Sequence, residues 1–211
     1  MSDRSSEAVR AWYSKPEHFV CTDVDSKIFD WSLLRHLGYD LIFNEKVVVD
    51  LGPSGLDAVM FAQRTKLWIA VDFVEPLLQQ RVSWRFPGGE KVKSIVADFR
   101  ALDEISNASI DTVLDYSSTD HIEEGRERAR AEIFRILKPQ RYYVLTYPNA
   151  CFYPGHVRET RGDFGYEVHY TPEEIVAEVV EAGFTIVYHN IRDSRSGLIA
   201  CKPEPTEGAR S

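Results

Sequence analysis

From Lys46 onward the chain alternates short apolar runs with longer stretches of helical period. Val47-Val48-Val49-Asp50-Leu51 predicts a buried strand, Gly55 to Arg64 a helix, Leu67 to Asp72 a second strand and Glu75 to Ser83 a second helix. The turn Pro87-Gly88-Gly89 leads into a third strand over Val92 to Asp98, and Ile110 to Tyr116 makes a fourth. Glu123 to Leu137 is the strongest helical pattern, with Ala129, Ile133, Ile136 and Leu137 on one face and Pro139 expected to stop it. A fifth strand is read over Tyr142 to Thr146. After an irregular stretch, Thr171-Pro172-Glu173-Glu174 reads as a helix N-cap, a Pro at the first helical position and acidic residues facing the positive end of the dipole, with Gly183 as the stop. Phe184 to Ile191 and Ser196 to Cys201, joined by a short polar turn, predict an antiparallel pair. Strands that are nearly all apolar and alternate with helices imply a mostly parallel sheet covered on both faces, so the fold class is α/β.

Residues 1–45 read as a helical extension carrying Trp12, Tyr13, Phe19, Phe29 and Trp31, with Gly38 placed to close a helix; residues 203–211 read as a loose tail. At 211 residues and 44% hydrophobic content, one core with terminal additions is expected. The 25 Lys and Arg against 33 Asp and Glu leave a net charge of −8, which repels phosphate backbones and anionic lipid. The helix with Arg126, Arg128, Arg130, Arg135 and Lys138 interleaves Glu123, Glu124, Glu127 and Glu132, and reads as a solvated face with i,i+4 pairs. No apolar leader segment opens the chain and no 18 apolar residues run together, so a cytoplasmic protein without membrane contact is expected. Cys21, Cys151 and Cys201 are odd in number and widely spaced, which argues for reduced thiols. The string His18, Cys21, Asp23, Asp25 reads as a solvated turn, and no metal site is expected.

In a parallel α/β sheet, ligands bind beyond the carboxyl ends of the strands, so the residues ending each strand are the candidates. The first strand ends in Asp50-Leu51-Gly52-Pro53-Ser54-Gly55 at the mouth of a helix, where small residues allow close backbone approach. The second ends in Asp72, 22 residues after Asp50, the separation at which a dinucleotide-type fold places a carboxylate on ribose hydroxyls. Asp98-Phe99 ends the third, and Asp115-Tyr116-Ser117-Ser118-Thr119-Asp120-His121 forms a polar cluster after the fourth.

With Val47 to Gly52, Val71-Asp72, Ala97-Asp98-Phe99, Ile110 to Leu114, Glu132 to Pro139 and Thr171 to Phe184 in this order, the stretch from Lys46 to Lys202 resembles the class I S-adenosylmethionine-dependent methyltransferases. The resemblance implies a Rossmann-like doubly wound sheet of seven strands with the last one antiparallel. It further implies S-adenosylmethionine as cofactor, with Asp50 and Gly52 at its methionine end, Asp72 on the ribose, Asp98 on the adenine amino group, and Phe73 and Phe99 beside the ring. Ser54, Gly55 and Tyr116 complete the cofactor candidates. The loop departs from the family's three alternating glycines, since Ser54 or Leu56 stands at a usual glycine place.

A nicotinamide enzyme would need Gly-x-Gly-x-x-Gly, a P-loop would need Gly-Lys-Ser/Thr, and a nucleophile elbow would need a glycine at Leu56; none of these is present. The alternative from another class is a non-catalytic S-adenosylmethionine-binding regulatory or partner module of the same fold. For a methyltransferase the acidic charge favours a small-molecule acceptor over nucleic acid. His121, then His156 and His169, are the candidate general bases, because imidazole titrates near neutral pH. Residues 147–170 are rich in rings and glycines and follow strand five on the ligand edge. Tyr147, Tyr153, Phe164 and Tyr166, with Trp12 and Tyr13, are therefore the candidate acceptor-pocket residues.

Overall fold

The computed structural model describes residues 36–53, 61–85, 91–152, 159–162 and 165–205. Most of the N-terminal extension, most of the helix read from Gly55, the turn at Pro87 and the last six residues lie outside the described residues.

The elements are α1 (Tyr39–Ile42), β1 (Val47–Leu51), β2 (Leu67–Asp72), α2 (Glu75–Arg85), β3 (Val92–Val96), β4 (Ile110–Tyr116), α3 (Arg126–Ile136), β5 (Leu137–Pro148), β6 (Glu159–Gly162), β7 (Gly165–Val168), α4 (Pro172–Glu181), β8 (Thr185–Asn190) and β9 (Arg195–Cys201). Seven strands form one sheet in the order β3-β2-β1-β4-β5-β9-β8, and β6 pairs with β7 in a separate hairpin. β1 lies parallel between β2 and β4, the point where the strand order reverses, so the crevice for a ligand opens there. β9 runs antiparallel to both of its neighbours, as the resemblance implied for the last strand.

Period-two alternation in the strands sends successive residues to opposite faces, and two apolar cores result. Val49, Leu51, Val71, Val113 and Leu145 pack under α3 through Ala129, Ile133 and Ile136 and under α4 through Ile175 and Val179. Val48, Trp68, Ala70, Leu114 and Val144 face Ile42, Phe43, Phe61 and Leu78 on the other side. The residues around α1 thus belong to the second core, and Thr112 Oγ1 donates to the Ile42 carbonyl at 2.9 Å. α4 begins as its sequence predicts. Thr171 accepts from the Glu174 backbone N–H while the Glu174 carboxylate accepts from the Thr171 N–H, a reciprocal pair with Pro172 in the first turn.

Two expectations are corrected. α3 is shorter than read, starting at Arg126 behind Gly125 and ending at Ile136, where Leu137 turns extended; the chain passes directly into β5 with Pro139 inside the strand. The sheet tolerates the proline because the β4–β5 register shifts between Ile110 and Thr112, and Gln140 adopts φ +58°, so no regular ladder bond is asked of that position. The stretch after strand five is also not wholly irregular, since it contains the β6–β7 hairpin. Its feet are joined where Tyr170 N donates to the Pro148 carbonyl and Ala150 N donates to the Tyr170 carbonyl, each at 2.9 Å.

Candidate cofactor and acceptor site

At the carboxyl end of β1 the backbone turns through Gly52 at φ +61°. Its N–H donates to the Val71 carbonyl at 2.8 Å, so the turn is clamped to β2. Ser118, beyond β4, donates through Oγ to the Leu51 carbonyl at 2.8 Å and lies so close that a Cβ on residue 52 would collide with that hydroxyl. Glycine is therefore required twice, by backbone angle and by the approach of Ser118. Gly52→Ala is expected to cost about 1–2 kcal/mol from the left-handed backbone alone, lowering the melting midpoint by at least about 3 °C. The additional change Ser118→Gly should recover part of the loss. An unchanged midpoint in Gly52→Ala would show that the two turns do not meet this closely.

Asp115, 1% exposed at the end of β4, organises the turn that carries Ser118. Its Oδ1 accepts from the Ser118 and Thr119 N–H groups at 3.0 and 3.1 Å, and its Oδ2 from Thr119 Oγ1 at 2.5 Å and the Tyr143 hydroxyl at 2.6 Å. Ser117 sits between them at φ +50°, a left-handed backbone held by this set of bonds. Arg130, fully buried on α3, donates to the Tyr143 hydroxyl at 2.7 Å and to Glu178 on α4 at 3.2 Å. The two helices are thereby tied to the floor of the turn.

A cleft with about 360 Å³ of empty space open to solvent lies beyond β2, β3 and β4, lined by Phe73, Asp98, Phe99, Arg100, Ser118, His121 and Ile122. Asp72 is buried at the end of β2 beside it, with Oδ1 accepting from the Val74 N–H at 2.9 Å. Asp98 holds the Arg100 side chain, Nε to Oδ1 at 2.9 Å and Nη2 to Oδ2 at 2.6 Å, so its carboxylate meets the cleft already paired. Phe99 is buried in the first core and Tyr116 in the second, where the Arg195 guanidinium stands 6.0 Å over its ring. Asp50 is buried one residue before the end of β1. The structure thus gathers Asp50, Gly52, Asp72, Phe73, Asp98, Phe99 and Tyr116 along one sheet edge, while Ser54 and Gly55 lie outside the described residues.

On the acceptor side, His121 Nδ1 is 2.8 Å from the Tyr166 carbonyl on β7, and the Tyr166 hydroxyl accepts from Arg126 at 3.2 Å. Tyr147 is buried, its hydroxyl 2.7 Å from His189 Nε2 and its ring edge-on to Tyr170. Burial pushes the Tyr147 hydroxyl up to about 12. Tyr147 and Tyr166 therefore anchor this segment to the core. Trp12, Tyr13, Tyr153, His156 and Phe164 lie outside the described residues. His169 is buried with Nε2 3.1 Å from Glu167, and His121 alone of the described candidate bases lines the cleft.

Sequence reading missed Ser118 as the partner of Gly52, although it stands in the polar cluster singled out. It also missed Asp120 and Glu167, which come together with His121 across the turn and the hairpin. Asp120 is 2% exposed with neither carboxylate oxygen hydrogen-bonded. Burial pushes it up to about 6, against the pull of the His121 and Arg195 charges. Lone charges 46 and 47 residues apart carry no local pattern that would have paired them.

A methyltransferase-domain family matches residues 49–145. Among curated protein sequences none matches the chain. Of solved structures, the 1,6-didemethyltoxoflavin-N1-methyltransferase of Burkholderia thailandensis superposes with a TM-score of 0.71 at 20% identity, over 95% of this chain and 90% of that one. The N-methyltransferase NodS of Bradyrhizobium japonicum gives 0.70 at 13% identity over 96% and 100%. An S-adenosylmethionine-dependent methyltransferase of Mesorhizobium loti gives 0.66 at 14% over 81% and 96%. These likenesses are of fold, whereas the family match falls on β1 to β5, the strands whose ends build the crevice. Residues 49–145 thus carry a methyltransferase domain of the class I S-adenosylmethionine-dependent kind, whose methyl donor is that cofactor.

Proposed function

We propose that this methyltransferase acts on a small-molecule acceptor, held where the cleft passes from the ends of β2 and β3 to the turn after β4. The observation that carries the reading is the hairpin. β7 reaches over the Thr119–His121 turn and is bonded to it through the Tyr166 carbonyl, so the acceptor end of the crevice is roofed by the chain itself. A roofed compartment beside Asp120 and Glu167 suits a small ligand and repels a phosphate backbone. Two of the similar structures carry names of N-methyltransferases, and the Burkholderia enzyme holds 1,6-didemethyltoxoflavin with S-adenosylhomocysteine, which supports an acceptor of that size.

The residues present fit the cofactor in their chemistry: Gly52 makes a tight left-handed turn at the end of β1, and the buried carboxylate of Asp72 closes the neighbouring strand. When bound, the cofactor supplies a sulfonium-activated methyl group that needs no further activation by the protein. The chain's own work is to hold and align. Asp50, Gly52, Ser54 and Gly55 would receive the methionine end, and Asp72 would accept from the ribose hydroxyls. Phe73 and Phe99 would flank the adenine, with Asp98, braced by Arg100, meeting its amino group. Tyr116 would complete the floor. His121 is the side chain assigned to meet the acceptor, and the hairpin excludes water from the line of transfer. His169, set against Glu167, would steady the hairpin from behind.

Incubating the protein with methyl-labelled S-adenosylmethionine should place label in a metabolite extract and leave bulk RNA unlabelled. Label in RNA and none in the extract would overturn the small-molecule reading.

A further inference from the structure

The turn after β4 and the second strand of the hairpin assemble ligand atoms that no single stretch of sequence contains. One oxygen of Asp120, a ring nitrogen of His121 and one oxygen of Glu167 lie within 4.8 Å of one another. Asp120 is the unusual member. Its neighbour Asp115 draws four hydrogen bonds from this turn and Tyr143, whereas the buried Asp120 carboxylate receives none on either oxygen. A carboxylate removed from water and left without donors is unfavourable until a cation meets it. His121 is prepared in a compatible way. Its Nδ1 faces the Tyr166 carbonyl at 2.8 Å, and because a carbonyl only accepts, Nδ1 carries the proton and Nε2 is left with the lone pair. Ligating imidazoles are oriented by this kind of outer bond.

We propose that Asp120, His121 and Glu167 form a binding site for a first-row divalent cation, of the Mn²⁺ or Zn²⁺ kind, at the acceptor end of the crevice. One imidazole and two carboxylates form the donor set such ions take, and two negative charges match a divalent ion. Ligands held at about 2.0–2.4 Å stand about 3–4.8 Å apart across the ion, so the group needs to close only slightly. The inference rests on the proposed placement of the acceptor beside His121. The cation's remaining positions would face that acceptor and fix its nucleophilic atom. The rival positive charge is the chain's own Arg195, whose Nη2 stands 3.9 Å from Glu167 Oε1, while His169 lies at 3.1 Å from Oε2; neither hydrogen-bonds Asp120.

Titration of the full-length protein with MnCl₂ and with ZnCl₂, in the presence of S-adenosylhomocysteine, should reveal one site per chain. Asp120→Asn and Glu167→Gln should each weaken it at least about tenfold while the affinity for S-adenosylhomocysteine stays within about twofold. Arg195→Gln should tighten it, because a competing charge is removed. No uptake of either ion by the wild-type protein, or uptake unchanged in both carboxylate variants, would overturn the site. Binding of methylammonium by the wild type in place of either metal would also overturn it, giving the group to a cationic acceptor. Lack of S-adenosylhomocysteine binding would instead strike the cofactor assignment, so the two readings fail separately.

Discussion

Asp72→Ala is expected to weaken S-adenosylhomocysteine binding at least about tenfold in calorimetric titration, with the protein still folded. A carboxylate that accepts from two ribose hydroxyls makes charge-assisted bonds of about 1.5–3 kcal/mol each, and a loss of about 1.4 kcal/mol already corresponds to a tenfold change. Asp72 has a second duty, because its Oδ1 also accepts from the Val74 N–H at the entry to α2. Asp72→Asn separates the two. The amide oxygen keeps the bond to Val74, so stability should change by less than about 1 kcal/mol, while the lost charge should still reduce affinity severalfold. Equal affinity in wild type and both variants would remove Asp72 from the cofactor site.

The largest expected loss of stability comes from Arg130→Met, at about 3 kcal/mol. That corresponds to roughly 6–12 °C in melting midpoint for a domain of this size. Methionine fills most of the volume, so the effect reports the polar network and not a void. Arg130 is 1% exposed, donates to Tyr143 and Glu178, and has its charge favoured by both of these and by Tyr170 and Asp115, which outweigh its burial. Removing it strands the buried Tyr143 hydroxyl as an acceptor and leaves Glu178 with Arg126 at 3.8 Å and the Tyr170 hydroxyl at 3.2 Å. Asp115 keeps all four of its donors, the Tyr143 hydroxyl included, so the turn carrying Ser118 should hold and cofactor affinity should change by less than about threefold. A midpoint within about 2 °C of wild type would show that the buried ion cluster contributes nothing net.

Much of the sheet was legible because local chemistry and tertiary context agree in it. β1, β2 and β4 are bounded as the apolar runs are bounded, since strands buried on both faces admit few polar residues. α4 starts where Thr171, Pro172 and Glu174 say it should, because a capping box is satisfied within four residues. α3 was read too long, because the pattern of Ala129, Ile133, Ile136 and Leu137 continues unbroken from helix into strand, and all four side chains are buried in either geometry. The β6–β7 hairpin was hidden by its shortness; four residues a side carry too little alternation to be told from a glycine-rich loop.

What the amino-acid sequence determined by itself is the alternation of strands and helices, and with it the parallel sheet, the carboxylates at the strand ends and the glycine at the first turn. These depend on period and on neighbours a few residues away, which a linear chain displays directly. What only the tertiary structure decided is which distant groups meet. It brought Ser118 against Gly52. It also set Arg130 between Tyr143 and Glu178, and His121 and Asp120 beside Glu167. Such contacts join turns, hairpins and helices whose own sequences are ordinary. Each arises because the sheet order places β4 beside β1 and the chain returns over that edge after β5, so their chemistry exists only once the strands have paired.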